Sequence, residues 1–305
     1  MFYRLNKRDV VSGFITSLSV LVFLFFAQVC LAQSPHQRVG PISEPLGELN
    51  MHVWRVPVEL EDRSGTITLE ATVFKPDGEG PFPLAVFTHG AARSAPRDGP
   101  YDFRPDAAIR WFLARGYAVA VVIRRGYGRS KGQRSVVEDE NSPRLIKLID
   151  ERAHDIASAV GYFQDQQFVV ADHIVLVGFS AGGNSVLATA GKAPKGVRGI
   201  IAFAPGSATI NRNELAHADL MERVFREYGS TAKPPVLWIY TENDEFYSPK
   251  LAKFFFEAYT SESDAEQELA ILPLEGENGH DLFLRDEGPK VWGPIVASFL
   301  ERVMP

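Results

Sequence analysis

Short apolar runs that alternate with amphipathic segments constrain the fold of this chain more than any other feature. Strands of a parallel sheet buried on both faces are almost continuously apolar, whereas helices that cover such a sheet repeat their apolar residues with a helical period. The predicted strands are Leu84–Thr88, Tyr117–Ile123, Ile174–Val177, Gly199–Phe203, Val236–Tyr240 and Glu268–Leu272. The predicted helices are Pro105–Arg115, Arg144–Phe163, Asn184–Gly191, Glu214–Tyr228, Pro249–Tyr259 and Pro289–Val303. The alternation predicts an α/β fold with a mostly parallel central sheet of about eight strands flanked by helices.

The remaining pattern predicts how the chain is divided. Met51–Leu60 and Thr66–Phe74 alternate apolar and polar residues, which predicts an antiparallel N-terminal edge to the sheet. No break in composition follows, so we expect one domain over residues 51–305, preceded by a linker at 33–50 that contains several prolines and glycines. The longest interval between strands, Ala204–Lys233, holds one predicted helix, so no large lid domain is expected.

The N-terminus has the pattern of a secretory signal peptide. A basic start is followed by the apolar run Val20–Ala27 and by the small residue Ala32 at a suitable cleavage position. We therefore predict a signal peptide at residues 1–32 and a secreted or periplasmic protein that has no stable membrane association after cleavage. The alternative is an uncleaved N-terminus that anchors the protein in a membrane. Cleavage would remove the single cysteine, Cys30.

The charge of the chain and the spacing of residues that could bind a metal exclude some classes of function. The chain has 32 basic and 38 acidic residues, a net charge of −6, and no long block of one sign. That distribution lacks the basic footprint of a nucleic-acid binder, so no nucleic-acid partner is expected. No paired Cys or His spacing and no clustered acidic loop predicts a metal site, and we expect no metal and no cofactor. The oligomeric state is left open.

A Gly-x-Ser-x-Gly motif follows one of the predicted buried strands and precedes a predicted helix. It consists of Gly178, Ser180 and Gly182, with Ala181 next to the serine. A turn of this kind lifts a serine above the sheet edge, and it needs small residues on both sides because side chains there would collide. Ser180 is therefore the predicted nucleophile. The Ala181 N–H, at the start of the helix, is predicted to bind an oxyanion.

A serine hydroxyl is a weak nucleophile until a base takes its proton. In chains with such a turn, an acid that orients the base and then the base itself follow the serine in sequence. Of the two later histidines, His280 lies in a polar loop after the last predicted strand, whereas His217 begins a predicted surface helix. His280 is therefore the predicted base. Asp244, in the loop after Val236–Tyr240, is the predicted acid that orients it. Two neighbouring carboxylates, Glu242 and Glu245, remain alternatives.

Two more loops are expected at the same edge of the sheet. The turn after Leu84–Thr88 contains Gly90 and Ala91, and the Ala91 N–H is the predicted second oxyanion donor. The glycine-rich turn after Tyr117–Ile123 contains Arg125 and Tyr127. It has either a structural role or a role in which these two side chains face the substrate.

These motifs together resemble the α/β-hydrolase superfamily, and within it the dienelactone-hydrolase-like and prolyl-oligopeptidase-like serine hydrolases. The residues that carry the resemblance are the Thr88-His89-Gly90 turn, the Arg125–Gly132 turn, Gly178–Gly182, Asp244 and His280. The resemblance implies that residues 51–305 are an α/β-hydrolase catalytic domain that hydrolyses carboxylic esters through an acyl-enzyme, without a cofactor.

The resulting hypothesis is an exported serine hydrolase, a carboxylic ester hydrolase that acts on small or medium acyl substrates. One alternative keeps the same three side chains but has them cleave short peptides or amides. The other is a catalytically inactive binding protein on a hydrolase fold. The expected partner is a small-molecule ester or a short peptide.

Overall fold

A computed structural model of the chain describes residues 39–61, 65–91, 99, 101–134, 144–192, 194–276 and 278–305. The predicted signal peptide at residues 1–32, with Cys30 and Ala32, lies outside the described residues. Residues 37–305 form one compact unit. No helix within the described ranges is long and apolar enough to cross a membrane.

The described residues form a nine-stranded sheet and a separate two-stranded hairpin. In the nine-stranded sheet the strand order is β1-β2-β3-β5-β4-β6-β7-β10-β11, and β8 pairs with β9. The strands are β1 Gly40–Pro41, β2 His52–Glu59, β3 Thr66–Phe74, β4 Phe82–Thr88, β5 Ala118–Val122, β6 Val169–Phe179, β7 Val197–Phe203, β8 Thr209–Asn211, β9 Glu214–Leu215, β10 Val236–Thr241 and β11 Gln267–Leu272.

Pairing divides the sheet into an antiparallel edge and a parallel body. β1, β2 and β3 pair antiparallel in sequence, and β3 joins β5 antiparallel. From β5 to β11 every pair of neighbouring strands is parallel. The predicted α/β fold, with its mostly parallel sheet and antiparallel N-terminal edge, is confirmed.

Six α-helices of the described residues cover the two faces of this sheet. They are α1 Asp106–Leu113, α2 Leu145–Gln164, α3 Ala181–Lys192, α4 Ala218–Thr231, α5 Pro249–Thr260 and α6 Gly288–Val303, and a 3-10 helix spans Gly279–Leu284. Buried residues of α2 to α5 pack in one core and those of α1 and α6 in another. Alternate side chains of one strand enter different cores: Val86 joins the first and Phe87 the second. Burial on both faces explains why the parallel strands are continuously apolar.

Several elements differ from the expected ones only in their ends, most of all β6, which begins at Val169 and not at Ile174, and the predicted base loop contains a 3-10 helix. Two further differences are short strands. Gly40–Pro41, within the predicted linker, pairs with Trp54 and Arg55 and extends the sheet beyond the predicted eight strands. Glu214–Leu215, predicted to begin a helix, instead pairs with Thr209–Asn211, so that α4 begins only at Ala218. Strands of two or three residues contain too few positions to show a period, and pairing with a neighbour decides their conformation.

The parallel strands bring the candidate residues to one edge of the sheet. β4, β6 and β10 end at Thr88, Phe179 and Thr241, and the loops that follow contain Gly90, Ser180 and Asp244. In an open α/β sheet, ligands bind outside the carboxyl ends of such strands.

Candidate active site

Ser180 occupies a strained turn between a buried strand and a helix. β6 ends at Phe179 and α3 begins at Ala181, so a single residue connects them. Ser180 has a φ of 54°, in the left-handed region that side chains rarely adopt. Its N–H donates to the carbonyl oxygen of Phe203 on β7, at 2.8 Å. The turn is thus held to the sheet while the serine side chain lies above the strand ends.

The glycines of the motif are required by close packing of backbone against backbone. A Cβ atom on Gly178 would lie 2.4 Å from the carbonyl oxygen of Gly182. A Cβ atom on Gly182 would lie 2.5 Å from the carbonyl oxygen of Thr88. Both distances are far below van der Waals contact, so any other residue would force strand, turn and helix apart.

Asp244 and His280 converge on the serine from two further loops. Nδ1 of His280 lies 2.9 Å from Oδ2 of Asp244, and Nε2 lies 3.2 Å from Oγ of Ser180. A carboxylate accepts the proton on Nδ1, which leaves Nε2 free to accept the hydrogen bond of the serine hydroxyl. The arrangement can therefore move a proton from Ser180 to His280, beside a carboxylate that stabilises the resulting imidazolium.

The acid itself is fully buried and held by its own loop. Asp244 has no exposed surface, and its Oδ1 accepts the N–H groups of Phe246 at 2.7 Å and Tyr247 at 2.9 Å. The other candidates lie elsewhere. Glu242 and Glu245 have exposed side chains, and His217 precedes α4. Of the three carboxylates in this loop, Asp244 is the one bonded to His280.

Gly90 brings the loop after β4 against the serine. A Cβ atom on Gly90 would lie 3.0 Å from the Cβ atom of Ser180, so only a glycine allows this approach without displacement. Ala91, the next residue, is exposed, and Ala181 is the first residue of α3. The two N–H groups predicted to bind an oxyanion thus belong to residues adjacent to Gly90 and Ser180, and their role stays a prediction.

His89 has a packing role beneath this loop. It has no exposed surface, its Nδ1 donates to the Gly90 carbonyl oxygen at 2.8 Å, and its Nε2 accepts the Arg124 N–H at 3.1 Å. Burial, and then the positive charge of Arg124, hold the pKa of His89 well below its ordinary value. His89 is therefore a neutral imidazole whose two hydrogen bonds join the loops after β4 and β5.

Arg125 and Tyr127, in the turn after β5, are both buried. Nε and Nη2 of Arg125 bond the two carboxylate oxygens of Asp155 on α2, at 2.7 and 2.6 Å. Tyr127 is 3% exposed, and its ring packs 4.9 Å from that of His89. These contacts favour the structural alternative for Arg125 and Tyr127, and the substrate-facing alternative stays a prediction. Arg125 points toward α2, whereas Tyr127 packs into the core that contains α1 and α6, and the sequence encodes neither direction.

Two polar residues near the acid were not singled out from the sequence. Oδ1 of Asn278 accepts N–H groups from both the acid loop and the base loop. The guanidinium of Arg212, in the β8–β9 turn, donates to the carbonyl oxygens of Asp244 and Glu242. Asn278 two residues before His280 has the pattern of a helix N-cap, which was a usable indication. Nothing in the sequence around Arg212 indicates its contacts.

Among the described residues, no three His, Cys, Asp or Glu side chains are grouped as metal ligands would be. A serine at a strained strand–helix turn, followed in the chain by a carboxylate and an imidazole in later loops, defines the α/β-hydrolase class, and the chain is a hydrolase of this superfamily.

Residues 64–253 match the sequence family described as X-Pro dipeptidyl-peptidase (S15 family). The chain belongs to the S15 family. It is also 28% identical over 145 residues to the quorum-quenching protein AidA of Acinetobacter baumannii, a match that covers 48% of this chain and 43% of that protein. The chain thus spans less than half the length of that relative.

Solved structures share the fold at low sequence identity. The Pyrococcus furiosus esterase Pf2001 is 18% identical with a TM-score of 0.57, over 88% of this chain and 100% of that one. Est1E from Butyrivibrio proteoclasticus is 16% identical with a TM-score of 0.55, over 82% and 99%. Porphyromonas gingivalis dipeptidyl peptidase 4 is 16% identical with a TM-score of 0.56, over 83% of this chain and 35% of that one.

Proposed function

We propose that this chain is a serine esterase that hydrolyses carboxylic esters of small or medium acyl groups through an acyl-enzyme. One observation carries the proposal: the 3.2 Å contact between Oγ of Ser180 and Nε2 of His280, whose other nitrogen lies 2.9 Å from Asp244. Nucleophile and base are within reach of direct proton transfer, and the base is oriented by a buried carboxylate.

The proposed reaction proceeds in two halves. Oγ of Ser180 attacks the ester carbonyl carbon while its proton passes to Nε2 of His280, and the N–H groups of Ala91 and Ala181 bind the developing oxyanion. The carbon–oxygen bond of the tetrahedral intermediate breaks as the imidazolium gives its proton to the leaving alcohol. Water then attacks the acyl-enzyme with His280 as base, which releases the acid and restores the serine. Asp244 stabilises the imidazolium in both halves.

Apolar surface at the base supports an ester substrate with an apolar group. The Phe246 ring lies 4.6 Å from the His280 ring and is 47% exposed, although it stands next to the buried acid. An exposed phenyl group beside the base offers contact to an acyl chain or an aryl leaving group. Between β7 and β10 the chain forms only the β8–β9 hairpin and α4, which supports small or medium rather than long acyl groups.

The second candidate is a peptidase that acts on short peptides. The S15 match favours it, because that family's description names X-Pro dipeptidyl-peptidase activity. The same three side chains serve ester and amide hydrolysis, since both pass through a tetrahedral oxyanion. An esterase and a peptidase differ in which groups they must bind on either side of the scissile bond.

A paired substrate panel separates these candidates. Purified protein is assayed with p-nitrophenyl acetate, butyrate and octanoate and with Xaa-Pro-p-nitroanilides, beside Ser180→Ala and the exposed control Ser230→Ala. The proposal expects ester turnover that favours the shorter acyl groups and falls at least about a thousandfold in Ser180→Ala but not in Ser230→Ala. Higher kcat/KM on the anilides would favour the peptidase. Ester turnover that persists in Ser180→Ala would remove the assignment.

Export belongs to the same proposal and rests on the predicted signal peptide. Cleavage after Ala32 would give a mature protein that begins at Gln33. N-terminal sequencing of protein recovered outside the cytoplasm tests this expectation. An intact first residue in a membrane fraction would support the anchored alternative instead.

A further inference from the structure

The acid and the base belong to different loops, so the distance between them depends on how those loops are held together. Asp244 follows β10 and His280 follows β11, and these two strands are parallel neighbours. Pairing of the strands ends at Thr241 and Leu272, before either functional residue is reached. The 2.9 Å contact between Asp244 and His280 therefore needs additional bonds between the loops themselves.

Asn278 supplies such a bond with a single side-chain atom. Its Oδ1 accepts the N–H of Glu245 at 3.0 Å and the N–H of His280 at 3.0 Å. Glu245 directly follows the acid, so one oxygen holds the backbone of the acid loop and the backbone of the base. The backbone of Asn278 is itself held, because its carbonyl oxygen accepts from Nη2 of Arg285 at 2.6 Å.

A second set of bonds joins the loops on the other side of the acid. The Gly279 N–H donates to the carbonyl oxygen of Asn243 at 3.2 Å, and Nδ2 of Asn243 donates to the carbonyl oxygen of Gly276 at 3.3 Å. A Cβ atom on Gly279 would lie 2.0 Å from Oγ1 of Thr241, so the loops meet without space between them. The residues before and after Asp244 are thus both bonded to the base loop. Of these bonds, those of Asn278 reach His280 itself.

We propose that Asn278 is a positioning residue of this hydrolase, whose side-chain oxygen Oδ1 sets the acid and base at hydrogen-bonding distance. It does not contact the reacting atoms and acts through His280 and Asp244. The inference rests on the proposed function. Because a displacement of about 1 Å can cost on the order of a hundredfold in rate, a bond that fixes both partners is expected to affect kcat rather than substrate binding.

Two substitutions distinguish this role from simple support of the fold. Asn278→Ala removes the acceptor, whereas Asn278→Asp keeps an acceptor of the same shape and adds a negative charge near the imidazole. A nearby negative charge favours the imidazolium and raises the pKa of a histidine. The charged groups that already lie on the elements packed here are Asp244 and Glu245 on the acid loop, Arg212 in the β8–β9 turn, and Asp281 and Arg285 on the base loop. The residues on the β6 side, Phe179 and Ser180, are uncharged.

The experiment measures kcat, KM and the pH dependence of kcat/KM for p-nitrophenyl butyrate, together with thermal melting. For Asn278→Ala we expect kcat to fall between about tenfold and a hundredfold, with KM within about twofold of wild type. For Asn278→Asp we expect most of kcat to return and the acidic limb of the pH profile to move to higher pH. The control Asn213→Ala, in the exposed β8–β9 turn, is expected to leave kcat and the profile unchanged.

Three results would overturn the inference. These are unchanged kcat in a folded Asn278→Ala protein, a loss in Asn278→Asp equal to that in Asn278→Ala, or rescue by Asn278→Asp with an unmoved pH profile. If Asn278→Ala does not fold, the pH profile of Asn278→Asp alone tests the inference: an acidic limb at higher pH than in wild type supports it, and an unmoved limb overturns it. Failure of the proposed function is seen separately, in wild-type protein whose ester turnover is absent or survives Ser180→Ala.

Discussion

Gly178 and Gly182 meet across the turn that carries Ser180, so closely that a Cβ atom on the first would lie 2.4 Å from the carbonyl oxygen of the second. The strand before the serine and the helix after it are therefore in direct backbone contact. Any side chain at either glycine would change the direction in which the serine hydroxyl points. Backbone packing therefore requires glycine at both positions, apart from the role of the serine in the reaction.

Replacement of the second glycine is expected to remove activity through this geometry. In Gly182→Ala the new Cβ atom would lie 2.5 Å from the Thr88 carbonyl oxygen, which would push the loop after β4 away from Ser180. We expect a loss of about 1–3 kcal/mol in the free energy of unfolding. kcat/KM should fall on the order of a hundredfold or more. Urea unfolding and ester kinetics measure the two effects.

A glycine in an open helical position is the matched control. Gly161 lies on α2 and a Cβ atom there would meet nothing within 4 Å. Gly161→Ala is expected to stabilise the protein by up to about 1 kcal/mol, because alanine is the better helix former, and to leave kcat/KM unchanged. Equal effects of Gly161→Ala and Gly182→Ala would contradict the packing argument.

The identity of the acid is tested by Asp244→Asn. The amide has the shape of the carboxylate but cannot stabilise the imidazolium, and it favours the wrong tautomer of His280. We expect kcat to fall by as much as about 10⁴-fold with little change in melting temperature. Asp281→Asn, next to the base but exposed, should retain most activity. A larger loss in Asp281→Asn, Glu242→Gln or Glu245→Gln than in Asp244→Asn would show that another carboxylate is the acid.

Burial of His89 predicts a loss of stability in mild acid. Its pKa is held well below the ordinary value of 6.5, first by burial and then by Arg124, so the unfolded chain binds a proton there more readily than the folded one. The contribution is complete above about pH 6.5 and is lost as the pH falls below it, by up to about 1.4 kcal/mol per pH unit. Urea unfolding between pH 7 and pH 5 should show a smaller decrease for His89→Gln than for wild type. Parallel curves for the two proteins would refute this account.

Substitution of Arg125 tests whether this side chain has a structural role, in its pair with Asp155, or faces the substrate. Both side chains are largely buried, so removal of the cation in Arg125→Met leaves a carboxylate without its partner. We expect a loss of about 3–5 kcal/mol in the free energy of unfolding and, in protein that remains folded, an unchanged KM. Arg226→Met, which breaks an exposed pair with Glu222, should have a far smaller effect. A raised KM with wild-type stability would support the substrate-facing role of Arg125.

The sequence predicts the parallel body of the sheet well because burial on both faces leaves an unbroken apolar run. β5 Ala118–Val122 and β10 Val236–Thr241 are buried along their whole length and were predicted within two residues. The two-residue strand Gly40–Pro41 has no such pattern, and its partner decides its conformation. The hairpin before α4 was missed for the same reason.

The site was predictable where chemistry and turn geometry coincide in neighbouring residues. The glycines on either side of Ser180 and the apolar strand before it indicate the nucleophile, and the loop position of His280 indicates the base. The contact from Asn278 to Glu245 spans 33 positions and leaves no local pattern. The direction of the Arg125 side chain was equally hidden, because a glycine-rich turn can present its side chains to either side.

The central claim, that His280 activates Ser180, is tested most directly by covalent labelling with a fluorophosphonate probe followed by peptide mass mapping. The account predicts one probe per chain on the peptide that contains Ser180, no label in Ser180→Ala, and labelling slowed at least about a hundredfold in a folded His280→Ala protein. Label on a different residue, or none on a folded wild-type chain, would contradict it, and the latter result would favour a binding protein on a hydrolase fold.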